Sequence, residues 1–185
     1  MPNKHISFEE MIKDAGEPLP RITAEEAAAM LTSDEITEYD RKLIASTVAE
    51  LVHTARMFKN IRQRPKVTIF GSARTKPDHP DYIVCKEFAR QLAQLGYMVI
   101  TGAGPGIMAA GHEGAGAENS IGVNIALPFE QSVNEFIAQS HYLITYRYFF
   151  SRKLTFVREA DAVVICPGGY GSMDEAFEVL TLVQT

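Results

Sequence analysis

The stretch Cys166-Pro167-Gly168-Gly169-Tyr170-Gly171-Ser172-Met173-Asp174-Glu175 holds the densest set of residues able to do chemistry. The apolar run Ala162-Val163-Val164-Ile165 before it reads as a buried strand, and Ala176-Phe177-Glu178-Val179-Leu180 after it reads as a helix. A strand, a glycine-rich turn and a helix N-terminus make an anion site. The glycines allow close backbone approach, and the unpaired N–H groups of the first helical turn point at the ligand. Phosphate is the expected anion. Ser172 and Glu175 have the spacing of a capping box, which is one reading of them. The other is chemical. Two anions repel, so a carboxylate beside a phosphate site is in place where a cationic transition state has to be stabilised.

Other residues could converge on the same turn. Ser72 and Arg74 follow the apolar run Val67-Thr68-Ile69-Phe70, and Gly102-Ala103-Gly104-Pro105-Gly106 follows another. The second turn is not a dinucleotide fingerprint, because Ile107 stands where the third glycine belongs. The following strand also ends without a ribose-binding acid, since Ile121-Gly122-Val123-Asn124-Ile125-Ala126 runs into Leu127-Pro128, which argues against NAD. Arg152 and Lys153 sit in the aromatic stretch from Tyr148 to Leu154, either as a solvated pair or as ligand contacts. His5, His53, His79, His112 and His141 have no metal-ligand spacing. Cys85 and Cys166 make neither a disulfide framework nor a metal set, and Cys166 reads as a small buried hydrophobe at a strand end.

Alternating strands and helices position these turns. The spacing predicts strands at about 66–70, 97–101, 121–126, 142–145 and 162–166. Helices are expected at about 81–95, 105–117, 131–139, 147–159 and from 173 onward. That order predicts an α/β fold, a Rossmann-like doubly wound parallel sheet with helices on both faces, in which ligands bind outside the carboxyl ends of the strands. A helical N-terminal extension precedes it. Residues 1–20 read as an arm, Thr23 to Glu26 as a capping box, and Ser33-Asp34-Glu35 as the start of a longer helix. Its apolar stripe, including Tyr39, Ile44, Val48 and Val52, must pack on the main domain or on a second subunit. The division expected is 1–60 for the extension and 61–185 for the nucleotide-binding domain.

Composition bounds the function. With 185 residues, 46% hydrophobic and 22% charged, the chain has the profile of a globular protein. A net charge of −5 argues against a general nucleic-acid or membrane-surface binder but permits a local cationic pocket. No apolar run approaches the roughly 18 residues of a membrane span, and Met1-Pro2-Asn3-Lys4-His5 lacks the apolar core of a signal peptide, so a cytoplasmic location is expected.

Pro167-Gly168-Gly169-Tyr170-Gly171-Ser172-Met173-Asp174-Glu175 resembles the Pro-Gly-Gly-x-Gly-Thr-x-x-Glu signature of the LOG ("lonely guy") family of nucleotide phosphoribohydrolases, many of them labelled lysine decarboxylase-like. Gly102 to Met108, Asn124 to Pro128 with Glu130 and Gln131, and Phe150-Ser151-Arg152-Lys153 resemble its other blocks, so that the likeness spans about 66–185. The resemblance implies hydrolysis of the N-glycosidic bond of a nucleoside 5′-monophosphate, a cytokinin ribotide or AMP, without metal or redox cofactor. It implies Glu175 and Arg152 as the catalytic pair, with Gly168, Gly169, Gly171 and Ser172 on the 5′-phosphate. Lys153, Ser72, Gly102, Gly104 and Met108 complete the expected substrate-binding set. Ser172 replaces a usual threonine and Ala103 a usual glycine. Family members continue beyond the position of Thr185 into at least one more strand and helix, and assemble as homodimers or larger oligomers. Two other readings of the same residues are a nucleotide sensor or carrier without chemistry, and a pyridoxal-phosphate decarboxylase with Lys153 as the Schiff base.

Overall fold

The computed structural model describes residues 21–127 and 132–184, and the chain divides into two compact units, Met1–Ser46 and Thr47–Thr185. The arm expected over 1–20 lies outside the described residues, as do Pro128, Glu130 and Gln131 of the motif blocks.

In the first unit, helix α1 (Ala24–Leu31) starts where its capping residues dictate. The Glu26 N–H donates to the Thr23 hydroxyl at 3.2 Å, and the Glu26 carboxylate accepts the Thr23 N–H at 2.7 Å. Helix α2 (Glu38–Lys59) starts later than Ser33. The Ser33 hydroxyl donates back to the Met30 carbonyl at 2.9 Å and closes α1, while Thr37 accepts the Asp40 N–H at 3.2 Å and caps α2.

The second unit is built on five parallel strands, β1 (Lys66–Phe70), β2 (Met98–Thr101), β3 (Ser120–Ile125), β4 (Leu143–Tyr146) and β5 (Ala162–Ile165), in the order β4-β3-β2-β1-β5. Strand parity divides its core in two. Val67, Ile69 and Val99 face α3 (Pro80–Gln94) and α4 (Ile107–Ala115), which bury Tyr82, Cys85, Ala89, Ile107 and Ala110 there. Phe70, Ile100, Ile121 and Val123 face the other way, onto Phe58 from the later part of α2 and Phe156 of α5 (Phe149–Arg158). The rings of Phe70 and Phe156 meet edge-on at 5.0 Å. The Thr54 hydroxyl bonds the buried Tyr146 hydroxyl at 2.5 Å, so this part of α2 belongs to the sheet's own core. Val48 and Val52 remain exposed.

The doubly wound parallel sheet expected from the alternating pattern is present. One element is not: 135–139 form turns where a helix was expected, because the Asn134 backbone is drawn to the β2 turn, its N–H donating to the Ala103 carbonyl at 2.8 Å. The last helix, α6 (Tyr170–Gln184), starts three residues before the expected Met173. Chain order reverses between β1 and β5. The crevice at such a reversal, above the carboxyl ends of the strands, is where open α/β sheets hold ligands. Among the described residues no helix is long and apolar enough to cross a membrane.

Candidate active site

Ser72 ties the three strand-end turns together. Its N–H donates to the Pro167 carbonyl at 3.1 Å, its carbonyl accepts the Ile107 N–H at 2.9 Å, and its hydroxyl accepts the Arg74 N–H at 3.1 Å. At the β5 turn, the first main-chain bond of α6 runs from the Met173 N–H to the Gly169 carbonyl at 3.1 Å. The N–H groups of Tyr170, Gly171 and Ser172 therefore precede the helical ladder and are available to an anion. This early start changes the role of Ser172. It lies within the first helical turn and packs on Gly168, where an added Cβ would come within 2.6 Å of the serine Cβ. The box expected between Ser172 and Glu175 needs Ser172 before the helix, so Glu175 is left to face the crevice.

Arg152 reaches the same space from α5. Its Nε donates to the Val123 carbonyl at 2.9 Å, and its guanidinium lies 5.1 Å from the centre of the Phe156 ring. Burial lowers its pKa and the Glu175 carboxylate pulls it back up, leaving a cation in a mostly dry setting. Burial also raises the Glu175 pKa, against the pull of Lys153 and Arg152 and together with Glu178 and Asp174. The start of α5 is anchored by Glu50 of α2, whose carboxylate accepts the Arg147 N–H at 2.6 Å and the Ser151 hydroxyl at 2.5 Å. Together these elements enclose a cavity of about 630 Å³. Ser72, Arg74, Gly102, Met108, Phe149, Arg152, Gly169, Tyr170, Gly171, Ser172 and Glu175 all line it.

The β2 turn is held from beneath by a buried polar network. Thr101 accepts the Ala103 N–H at 3.0 Å, and the Asn134 amide donates to the carbonyls of Ala103 and Gly104 at 3.0 and 2.9 Å. Fully buried His112 donates through Nε2 to the Ile121 carbonyl at 3.1 Å, and its Nδ1 lies 3.2 Å from the Asn134 amide nitrogen. Burial depresses its pKa to about 4. An unfolded imidazole titrates near 6.5, so between these values the unfolded chain binds the extra proton. The contribution of this neutral histidine is fully present above pH 6.5 and is lost as pH falls toward 4, by ~3 kcal/mol. Urea unfolding across that window should show the loss, and His112→Gln should flatten it.

Residues 105–185 match the family described as "Possible lysine decarboxylase". No curated protein matches the chain. Among solved structures it is similar to TM1055, a structural-genomics target, at 27% identity over 64% of this chain and 69% of that one, with a TM-score of 0.49. It is also similar to the Moco carrier protein from Chlamydomonas reinhardtii, at 19% identity over 64% and 72%, with a TM-score of 0.50; that likeness is one of fold.

Most residues expected in the site gather at the cavity, but three do not line it. Lys153 is paired with Asp174 at 2.7 Å and Glu178 at 2.9 Å. Gly168 lines an adjoining cavity of about 720 Å³ that shares Ser72 and Arg74. Gly104 has its carbonyl occupied by Asn134. Phe149 and Tyr170, outside the set that the motifs point to, also line it. An aromatic just inside a helix that carries a site arginine was the available signal. Glu50, Asn134 and His112 were missed as supports because their partners are distant in sequence.

Gly102 has a specific task beside Arg152. A Cβ there would collide with the Arg152 Nη2 and stand 2.8 Å from the Met108 sulfur. Both atoms end flexible side chains, so Gly102→Ala should cost little stability yet push the guanidinium aside. Turnover is expected to fall at least about tenfold, the scale of losing part of one positioned charge, with an unfolding midpoint close to that of the parent chain.

Proposed function

We propose that this chain is a LOG-like enzyme that hydrolyses the N-glycosidic bond of a nucleoside 5′-monophosphate, AMP or a cytokinin riboside 5′-monophosphate, in the cytoplasm. The products are the free base and ribose 5-phosphate. The observation that carries the reading is that Glu175, a half-buried carboxyl with a raised pKa, shares one cavity with Arg152 and with the open N-terminus of α6. The N–H groups of Gly171 and Ser172 suit the 5′-phosphate. One helical turn further on, Glu175 faces the position where the ribose would lie. As the C1′–N bond breaks, positive charge grows on the sugar. The Glu175 carboxylate stabilises that charge and accepts a proton from the water that attacks C1′. Arg152 binds sugar oxygens and keeps the carboxylate oriented. Phe149, Tyr170 and Met108 offer apolar surface for the base.

Decarboxylation through pyridoxal phosphate fits these residues poorly. The cofactor would supply an electron sink once an uncharged lysine bound it, and Lys153 is the lysine beside the turn. Burial opposes the charge on Lys153, but Asp174 and Glu178 outweigh it and hold its pKa above the ordinary value. An amine kept protonated by two carboxylates is a poor nucleophile.

A homodimer belongs to the same reading. It is supported by exposed apolar side chains on α2 and α5, namely Val48, Val52, Phe150 and Leu154. Incubation with AMP and with isopentenyladenine ribotide, followed by chromatography of the free base, tests the activity. Base release above a Glu175→Ala control supports it. A rise in melting temperature with AMP and no base released would make the chain a nucleotide-binding protein instead.

A further inference from the structure

Strand pairing aligns Val67 with Ala162 and Ile69 with Val164, which places Cys166 on the sheet face that α3 covers. On that face α3 buries Tyr82, Cys85, Ala89 and Leu92. The two cysteines of the chain, 81 positions apart in sequence, therefore share one face of the sheet and one core. Cys85 is 3% exposed with its thiol donating to the Ile107 carbonyl at 3.7 Å, and Cys166 packs against the same core while keeping partial access to solvent. Cys166 also occupies a sensitive place in the backbone. Its N–H makes the last bond to β1, on the Phe70 carbonyl at 2.8 Å, and the next carbonyl, Pro167, accepts the Ser72 N–H that ties the turns together.

We propose that Cys85 and Cys166 form a modification site, a dithiol that a peroxide closes to a disulfide, and that closure alters the glycine turn of the adjoining cavity. The effect on the turn rests on the reading of that turn as a phosphate site; the cross-link does not. Cys166 keeps access to solvent while Cys85 is buried, and the neighbouring Cys85 thiol holds the Cys166 pKa below its ordinary value while that of Cys85 is pushed up, so Cys166 is the sulfur that reacts first. Its thiolate attacks the peroxide, forming an S–O bond as the O–O bond breaks and hydroxide leaves. That hydroxide takes the Cys85 proton and becomes water. Cys85 then attacks the sulfenic sulfur, and the S–S bond forms as hydroxide leaves and is protonated to a second water. Two thiols and one peroxide become one disulfide and two waters. The sulfurs lose two electrons and the peroxide gains them.

The test uses the full chain and hydrogen peroxide. Thiol titration after denaturation should fall from two to none, with a cross-linked Cys85–Cys166 peptide in the digest and full recovery with dithiothreitol. Closure should be at least tenfold faster in the folded chain than in urea. In Cys85→Ser, Cys166 should stop at a sulfenic acid that dimedone traps. Thiols that persist, sulfinic acid on Cys166 without a cross-link, or equal rates in folded and unfolded chain would overturn the pair. Inorganic phosphate should bind the oxidised chain at least tenfold more weakly than the reduced one, and equal binding would overturn the coupling to the turn. A reduced chain that binds neither phosphate nor AMP would refute the phosphate site, and the coupling with it, while the thiol titration still decides the cross-link.

Discussion

Replacing Glu175 by alanine is expected to slow release of base from AMP by on the order of 10²–10³, with little change in melting temperature. The magnitude is that of removing one preorganised group aimed at charge that develops only in the transition state. Little stability should be lost, because burial works against the ionised carboxyl and its removal relieves that cost. The loss should fall on kcat more than on KM, since the phosphate and the base are held by other residues. Because burial raises the pKa of Glu175, the acidic limb of the rate profile should lie above the ordinary carboxylate range, with activity rising with pH as the carboxyl ionises. Glu175→Gln should lose that limb along with the rate. Steady-state rates across pH, measured beside unfolding midpoints for each variant, check both. A variant that keeps full rate removes Glu175 from the chemistry.

Gly106→Ala is expected to destabilise the chain by about 3 kcal/mol or more, from backbone strain and overpacking together. Gly106 has φ 68° and ψ −131°, a region that side chains disfavour. An added Cβ would also press on the Ser72 carbonyl and lie 2.7 Å from the carbonyl carbon of Ala73. These are backbone atoms of the turn that joins all three strand ends, so no side-chain rotation relieves the contact. At ~2–4 °C per kcal/mol for a chain of this size, the melting temperature should drop by about 6–12 °C. Base release should fall in the fraction that remains folded, because Ser72 shifts with Ala73. Thermal unfolding and activity at a temperature where the variant is folded separate the two effects. Gly106→Ala with an unchanged melting temperature would mean that the turn has another backbone conformation.

Where a signal is local, the residues were readable in order. Thr23 and Glu26 made their capping box three positions apart, and β1 lies at Lys66–Phe70, where an apolar run ends in glycine. The parallel sheet followed from alternation, since strands separated by helices can pair only by crossing over. The start of α6 was read late because Ser172 and Glu175 satisfy a capping pattern that the chain does not use. The turn instead packs Gly168 onto Ser172 and hands the Pro167 carbonyl to Ser72, about a hundred residues earlier. The resemblance of the Phe150-Ser151-Arg152-Lys153 block places Lys153 in the substrate-binding set beside Arg152. On a helix, adjacent positions point about 100° apart, so Arg152 turns toward Val123 and Lys153 toward the carboxylates of α6.

Period and turn chemistry act over a few neighbours, so the five strands, most of the helices, the three glycine turns and most of the residues that line the crevice are legible in the sequence. What those residues touch depends on the folded chain. The Arg147 N–H finds the Glu50 carboxylate 97 positions away, and buried His112 meets Asn134 22 positions on. Those pairings follow from strand order and from the demand that buried polar groups be matched, neither of which is written in local spacing.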